Sequence, residues 1–162
     1  MTTYVALLRG IGPTNPNMHG SKLKWAFEEL GLKEVIPVIS SGNVIFKSSS
    51  KNSRALGTKI EKALPKLLGF KSSTIVRSQE ELEHVAEVSP FKSRKENKKE
   101  YLVVTFLKNQ AVKDGAIFTT IDMSKSRTPE FMRSIEKKYG KEITTRTWKT
   151  VNRIIQKMRP SY

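Results

Sequence analysis

Apolar residues recur along the chain in two rhythms. Residues 3–9 (TYVALLR), 35–40 (VIPVIS) and 44–48 (VIFKS) are short, nearly unbroken apolar runs, the pattern of strands covered on both faces. Between and after them, Leu23, Ala26, Phe27 and Leu30, then Leu56, Ile60, Ala63, Leu64 and Leu67, repeat at helical spacing. Ser21 is placed to cap the first of these helices and Gly31 to end it. The second is predicted over Ser53–Leu68, with Pro65 kinking or shortening its last turn. Ser41-Gly42-Asn43 reads as a hairpin turn in which glycine supplies a positive φ. Pro37 has no N–H to give to a ladder, which predicts that its strand lies at a sheet edge. With "STIVRS" as a closing strand, residues 1–77 read β-α-β-β-α-β, the order of a ferredoxin-like alpha–beta plait. Two helices cover one face of such a sheet, so the rest of the chain is expected to cover the other.

Residues 78–162 form the expected second lobe, packed on the first as one structural unit. Ser78 and Glu81 make a capping box ahead of Leu82, Val85 and Ala86. A charged loop, "FKSRKENKKE", leads to two strands, "YLVVTFL" and "GAIFTTI", expected to pair. Thr128-Pro129-Glu130 opens a helix that buries Phe131, Met132 and Ile135 and stops at Gly140. The last helix carries Trp148, Val151, Ile155 and Met158 on one face and Lys149, Asn152, Arg153 and Lys157 on the other. Its N-cap is expected at Thr144 or Thr145. That would put Arg146 in a first helical turn, where the helix dipole disfavours a cation. No repeat is visible in residue identities.

Four separated segments, in order, carry a family resemblance: "YVALLRGI", "ISSGNVIFKS", "SPF" followed by "YLVVTFL", and "TTRTWKTVNRI". Together they resemble the domain-of-unknown-function 1697 family over nearly the whole chain. The resemblance implies an α+β protein with two small plait-based lobes, and little about function. Two departures stand out. The family's glycine-rich loop is here Gly12-Pro13-Thr14-Asn15-Pro16-Asn17, and the stretch between Leu107 and Ser126 is short, which implies a reduced second lobe.

Charge adds a partner class. Thirty Lys and Arg against fifteen Asp and Glu give a formal +15. The excess is spread: residues 1–80 hold 12 basic and 5 acidic side chains, and residues 81–162 hold 18 and 10. Such a field draws polyanions, and nucleic acid or another polyanion is the expected partner. With no cysteine, disulfides, zinc–thiolate sites and iron–sulfur clusters are excluded, and a cytoplasmic location is the expectation. The apolar run Tyr4–Leu8 is too short for a membrane span.

Candidate chemistry is sparse. Arg9 and the loop from Gly10 to Gly20 lie between a strand end and a helix start, where α/β proteins seat anions, with Gly10, Gly12, Asn15 and Asn17 as candidate backbone and side-chain donors. Ser41 and Asn43 at the hairpin turn, and Arg146 and Lys149 near the C-terminus, complete the candidate ligand set. No P-loop lysine, serine elbow or metal-ligand spacing is present, so no catalytic residue, metal or cofactor is assigned. Phe46 is a lone aromatic on its strand, which argues against base stacking on an open sheet. The leading reading is a non-enzymatic binding protein for nucleic acid or another polyanion. The alternatives are a small-molecule, phosphate or catalytic site built on Arg9 and the following loop, and a homodimeric or partner-binding module.

Overall fold

The computed structural model describes residues 1–9, 15–38, 42–108, 115–124 and 128–160. It is a mixed α+β fold with two antiparallel sheets and five α-helices among those residues. The chain divides into two compact units, one of Met1–Leu82 with Ile154–Tyr162, the other of Glu83–Arg153.

In the first unit β1 (Thr2–Leu8), β2 (Lys33–Val38), β3 (Asn43–Ser48) and β4 (Thr74–Ser78) form a sheet of order β2-β3-β1-β4, every neighbouring pair antiparallel. The Pro37 strand lies at the edge, as its missing N–H predicts. Helices α1 (Gly20–Glu29) and α2 (Ser53–Leu68) cover one face. Alternation along the strands sends Tyr4, Ala6, Leu8, Val44, Phe46 and Val76 into that layer against Leu23, Phe27, Leu56, Ile60 and Leu64. Phe46 stacks on Tyr4 at 5.6 Å and meets Phe27 edge-on at 5.9 Å, so it is a core residue. The alternate residues Val5, Leu7, Ile45 and Ile75 are buried as well, in keeping with the unbroken apolar runs of β1 and β3, whereas Ile36 on the edge strand β2 is exposed and that strand is not covered on both faces.

Local signals explain most of the element ends. Gly42 sits at φ 78° with its carbonyl accepting from Leu8 N–H at 2.8 Å. A Cβ there would meet Leu8 Cβ at 3.1 Å and Met18 Cε at 3.2 Å, so both conformation and space require glycine. Asn52 caps α2 through Ala55 N–H, and Gly69 ends it in the left-handed region. Pro65 does not cut α2 short; the helix runs on to Leu68. The first helix departs from the expected cap: His19 is the N-cap residue, without a side-chain cap bond, and Ser21 lies inside the first turn.

The second unit is built on β5 (Glu100–Leu107), β6 (Ala116–Asp122) and β7 (Ile143–Thr147), in the order β6-β5-β7. The expected β5–β6 pairing is present, from Glu100 opposite Asp122 to Phe106 opposite Ala116. Helix α4 (Thr128–Tyr139) packs Ile135 with Leu107 and Ile143, and Phe131, Ile117 and Tyr139 join that cluster. Glu130 in its first turn and Lys137 and Lys138 in its last match the helix dipole. Helix α3 (Gln79–Val88) carries the chain out of the first unit, and α5 (Trp148–Met158) carries it back.

The main correction concerns the C-terminal segment. Residues 143–147 are a strand paired with β5, Thr147 opposite Val103 and Ile143 opposite Leu107. Helix α5 starts only at Trp148, and its cap is Thr147, whose Oγ1 accepts from Thr150 N–H at 3.2 Å. Thr144 and Thr145 are therefore strand residues; Thr145 bonds across to Thr105 at 2.9 Å. Arg146 is in the strand too, and the dipole conflict disappears. Thr147→Ala should cost about 1 kcal/mol in chemical denaturation, the ordinary value of a lost N-cap. A substitution with no effect would place the cap elsewhere.

Candidate functional site

In the first unit the Asn15, Asn17 and Asn43 side chains are occupied by the fold, and Arg9 is held through its backbone. Arg9 N–H meets Ser73 carbonyl and Ser72 Oγ, both at 3.0 Å, and Ser72 Oγ donates back to Arg9 carbonyl at 2.7 Å. Asn15 Oδ1 accepts from Asn17 N–H at 2.9 Å and caps the 3-10 turn Pro16–Met18. Asn17 Nδ2 donates to Leu68 carbonyl at the end of α2 at 2.6 Å, while its Oδ1 accepts from Lys22 at 2.7 Å. Asn43 is buried and donates to Val38 carbonyl at 3.2 Å, bracing the hairpin. Gly10, Gly12 and Ser41 lie outside the described residues.

Arg146 and Lys149 belong to the second unit. Arg146 stands opposite Val104 on the sheet face that also carries the buried Leu102 and Phe106. Its Nη1 donates to Thr144 Oγ1 at 2.7 Å and Thr145 carbonyl at 3.0 Å. Burial pushes the guanidinium down to about 10. It has a counterpart in the first unit. Arg77 stands second from the end of β4, is buried, and donates to Val76 carbonyl at 3.2 Å. Burial lowers its pKa, and Glu81, 3.9 Å away, works in the opposite direction. In both places the strand ends Arg-hydroxyl and the next residue starts a helix: Ser78 Oγ accepts from Glu81 N–H at 3.1 Å, as Thr147 does from Thr150.

Lys149 lies on a cavity of about 590 Å³ formed by residues 92–96 together with Trp148, Lys149 and Asn152. Trp148 anchors it. The ring is 5% exposed and meets Phe91 edge-on at 5.8 Å, and its Nε1 donates to Lys92 carbonyl at 3.2 Å. Phe91 in turn packs edge-on against Phe118 at 5.8 Å. The loop is held at its far end by Asn97, whose Oδ1 accepts from Lys99 and Glu100 N–H, and by an Arg94–Glu100 ion pair. Lys92 takes φ 48°, unfavourable for a bulky residue, and its ammonium donates to Glu87 carbonyl at the end of α3. Two segments singled out for their sequence, "SPF" and "TTRTWKT", thus meet at one place.

The cavity wall is basic. Lys92, Arg94, Lys95 and Lys149 face a single acid, Glu96. Lys95 and Lys149 take no partner among the described residues, whereas Arg94 is paired and Lys92 is tied to a carbonyl. Sequence reasoning found Lys149 and treated residues 92–96 only as a charged loop; their position directly after an aromatic that packs on Trp148 is what places them on the same cavity as Lys149. It also passed over Trp25, 47% exposed on α1, although Leu23, Ala26 and Phe27 already define the buried side of that helix. No group of three metal-ligating side chains occurs among the described residues. Among the described residues no helix is long and apolar enough to cross a membrane.

The two tryptophans give a paired stability test. Trp148→Ala should cost about 3–5 kcal/mol, the range for deleting a buried aromatic. Trp25→Ala should fall within about 0.5 kcal/mol of the parent, as surface substitutions do. Denaturant midpoints of the two variants check both, and equal losses would contradict the assignment.

No curated protein matches the chain. Among solved structures, the conserved bacterial protein SP0830 from Streptococcus pneumoniae is similar in fold at a TM-score of 0.72, with 21% identity over 98% of each chain. The family model described as "Protein of unknown function (DUF1697)" matches residues 1–139, which ends before the "TTRTWKT" segment. On that match the chain belongs to the DUF1697 family.

Proposed function

We propose that the protein is a non-enzymatic binder of phosphate-rich polyanions, nucleic acid foremost, and that the basic cavity of the second unit is where the ligand docks. The observation that supports this reading is the pairing of Lys95 and Lys149 on that cavity, two ammonium groups with no partner among the described residues, beside Lys92 and Arg94. Charges left open at a concave surface, in a chain of formal +15, favour an anion with several phosphates. The start of α5 adds to the field, since its first turn carries no acid to offset the helix dipole. Trp148 is too enclosed to serve as a stacking platform, so affinity should come from phosphate contacts.

The reading prefers the second unit to the loop after Arg9, because the side chains of Asn15, Asn17 and Asn43 are engaged in bracing the backbone. It also treats the first unit, ordered β2-β3-β1-β4, as a ferredoxin-like alpha–beta plait. The second unit then corresponds to a plait without its first helix and edge strand, β5, β6, α4 and β7 standing for the remaining elements.

Binding to a short single-stranded oligonucleotide across a salt series tests the proposal. Affinity should fall with salt at a slope of about −0.7 per phosphate contacted, so Lys95→Ala with Lys149→Ala should flatten the slope by about 1.4. An unchanged slope in the double variant would remove this cavity from the interface. No binding at low salt would remove the function.

A further inference from the structure

One member of the cavity wall does not fit a site for phosphate alone. Glu96 stands among Lys92, Arg94, Lys95 and Lys149, and its Oε2 is buried without a hydrogen-bond partner, the one such side-chain atom among the described residues. A buried carboxylate oxygen without a donor is rare in folded proteins and calls for an account. An ionised carboxylate only accepts hydrogen bonds, so it repels phosphate and favours N–H groups. Glu96 itself lines the adjoining cavity, and its terminal torsion is soft, so its carboxylate can reorient at little cost. That space, about 590 Å³, falls in the range of small-molecule sites.

We infer that the cavity holds a single nucleotide, free or at the end of a strand, whose base carries an amino group: Lys95 and Lys149 take the phosphate, and Glu96 accepts from the amine. The inference rests on the polyanion reading and narrows it from a charged surface to one chemical class, a phosphate that also brings an N–H donor. Cytosine offers its N4 amine at the position where uracil has the O4 acceptor, so the two bases differ in the sign of the contact at nearly the same shape. Asn152 lines the same cavity with its Nδ2 already donating to Trp148 carbonyl at 3.0 Å, which leaves its Oδ1 as a further acceptor.

Calorimetric titration of the full chain at low salt with cytidine and uridine monophosphates tests this, run on the parent and on Glu96→Gln. Glucosamine 6-phosphate and glucose 6-phosphate form a second pair that separates a nucleotide from an amino sugar phosphate. The parent should bind the cytidine compound about tenfold more tightly, the worth of one hydrogen bond to a charged group. Glu96→Gln should erase that preference while keeping or improving the uridine compound, because a like charge near the phosphate is gone. Equal binding of the two nucleotides by the parent overturns the inference. A Glu96-dependent preference seen only in the sugar pair overturns the nucleotide assignment. If neither nucleotide binds but an oligonucleotide does, the inference falls and the polyanion reading stands; if nothing binds, both fall.

Discussion

Where a strand runs into a helix with no residue between them, the strand's own last side chain is the nearest acceptor for the helix's first N–H groups. That constraint operates twice here. Ser78 ends β4 and caps α3, and Thr147 ends β7 and caps α5. The residue before each cap is an arginine, Arg77 buried and Arg146 half-buried on its sheet. In the second unit the junction decides where Trp148 and the cavity beside it fall. Because β7 is paired to β5 in fixed register and α5 follows without slack, Trp148 and Lys149 are set relative to the sheet with no loop to blur them.

The cavity follows from that placement. Trp148 meets Phe91 and reaches Lys92 carbonyl from a backbone that the cap beside it helps to fix. The same bond helps hold Lys92 in the left-handed region, a conformation that the surrounding contacts must over-determine. The loop then closes on Asn97 and Glu100, and the cations between these two anchor points are presented on a concave wall rather than on a free charged tail. Charge composition alone would be compatible with a solvated lysine-rich surface. The aromatic anchor is what gathers part of that charge around one cavity.

The first sheet was legible because its strands are apolar on both faces and its turns carry their own signals, Pro37 at the edge and Gly42 at positive φ. Strand β7 was not, for a physical reason. "ITTRT" has one aliphatic residue, and its threonines serve a strand and a helix cap equally well; tertiary pairing with β5 decides between them. The error carried over to Arg146, whose apparent conflict with a helix dipole came from assigning it to the wrong element. Its unusual feature is a half-buried guanidinium on an apolar sheet face, which no local pattern announces. Trp148 was readable as a core anchor from its spacing with Val151, Ile155 and Met158. That residues 92–96 would gather beside it could not be read, since it depends on a contact between Phe91 and a side chain more than fifty positions away.

The most direct test of the account is backbone and indole chemical-shift mapping of the full chain with a short single-stranded oligonucleotide at low salt. The account predicts that the largest perturbations fall on residues 92–96, Lys149, Asn152 and the Trp148 indole N–H. Perturbations centred on Arg9, Asn17 and Asn43, with the Trp148 indole unmoved, would contradict it.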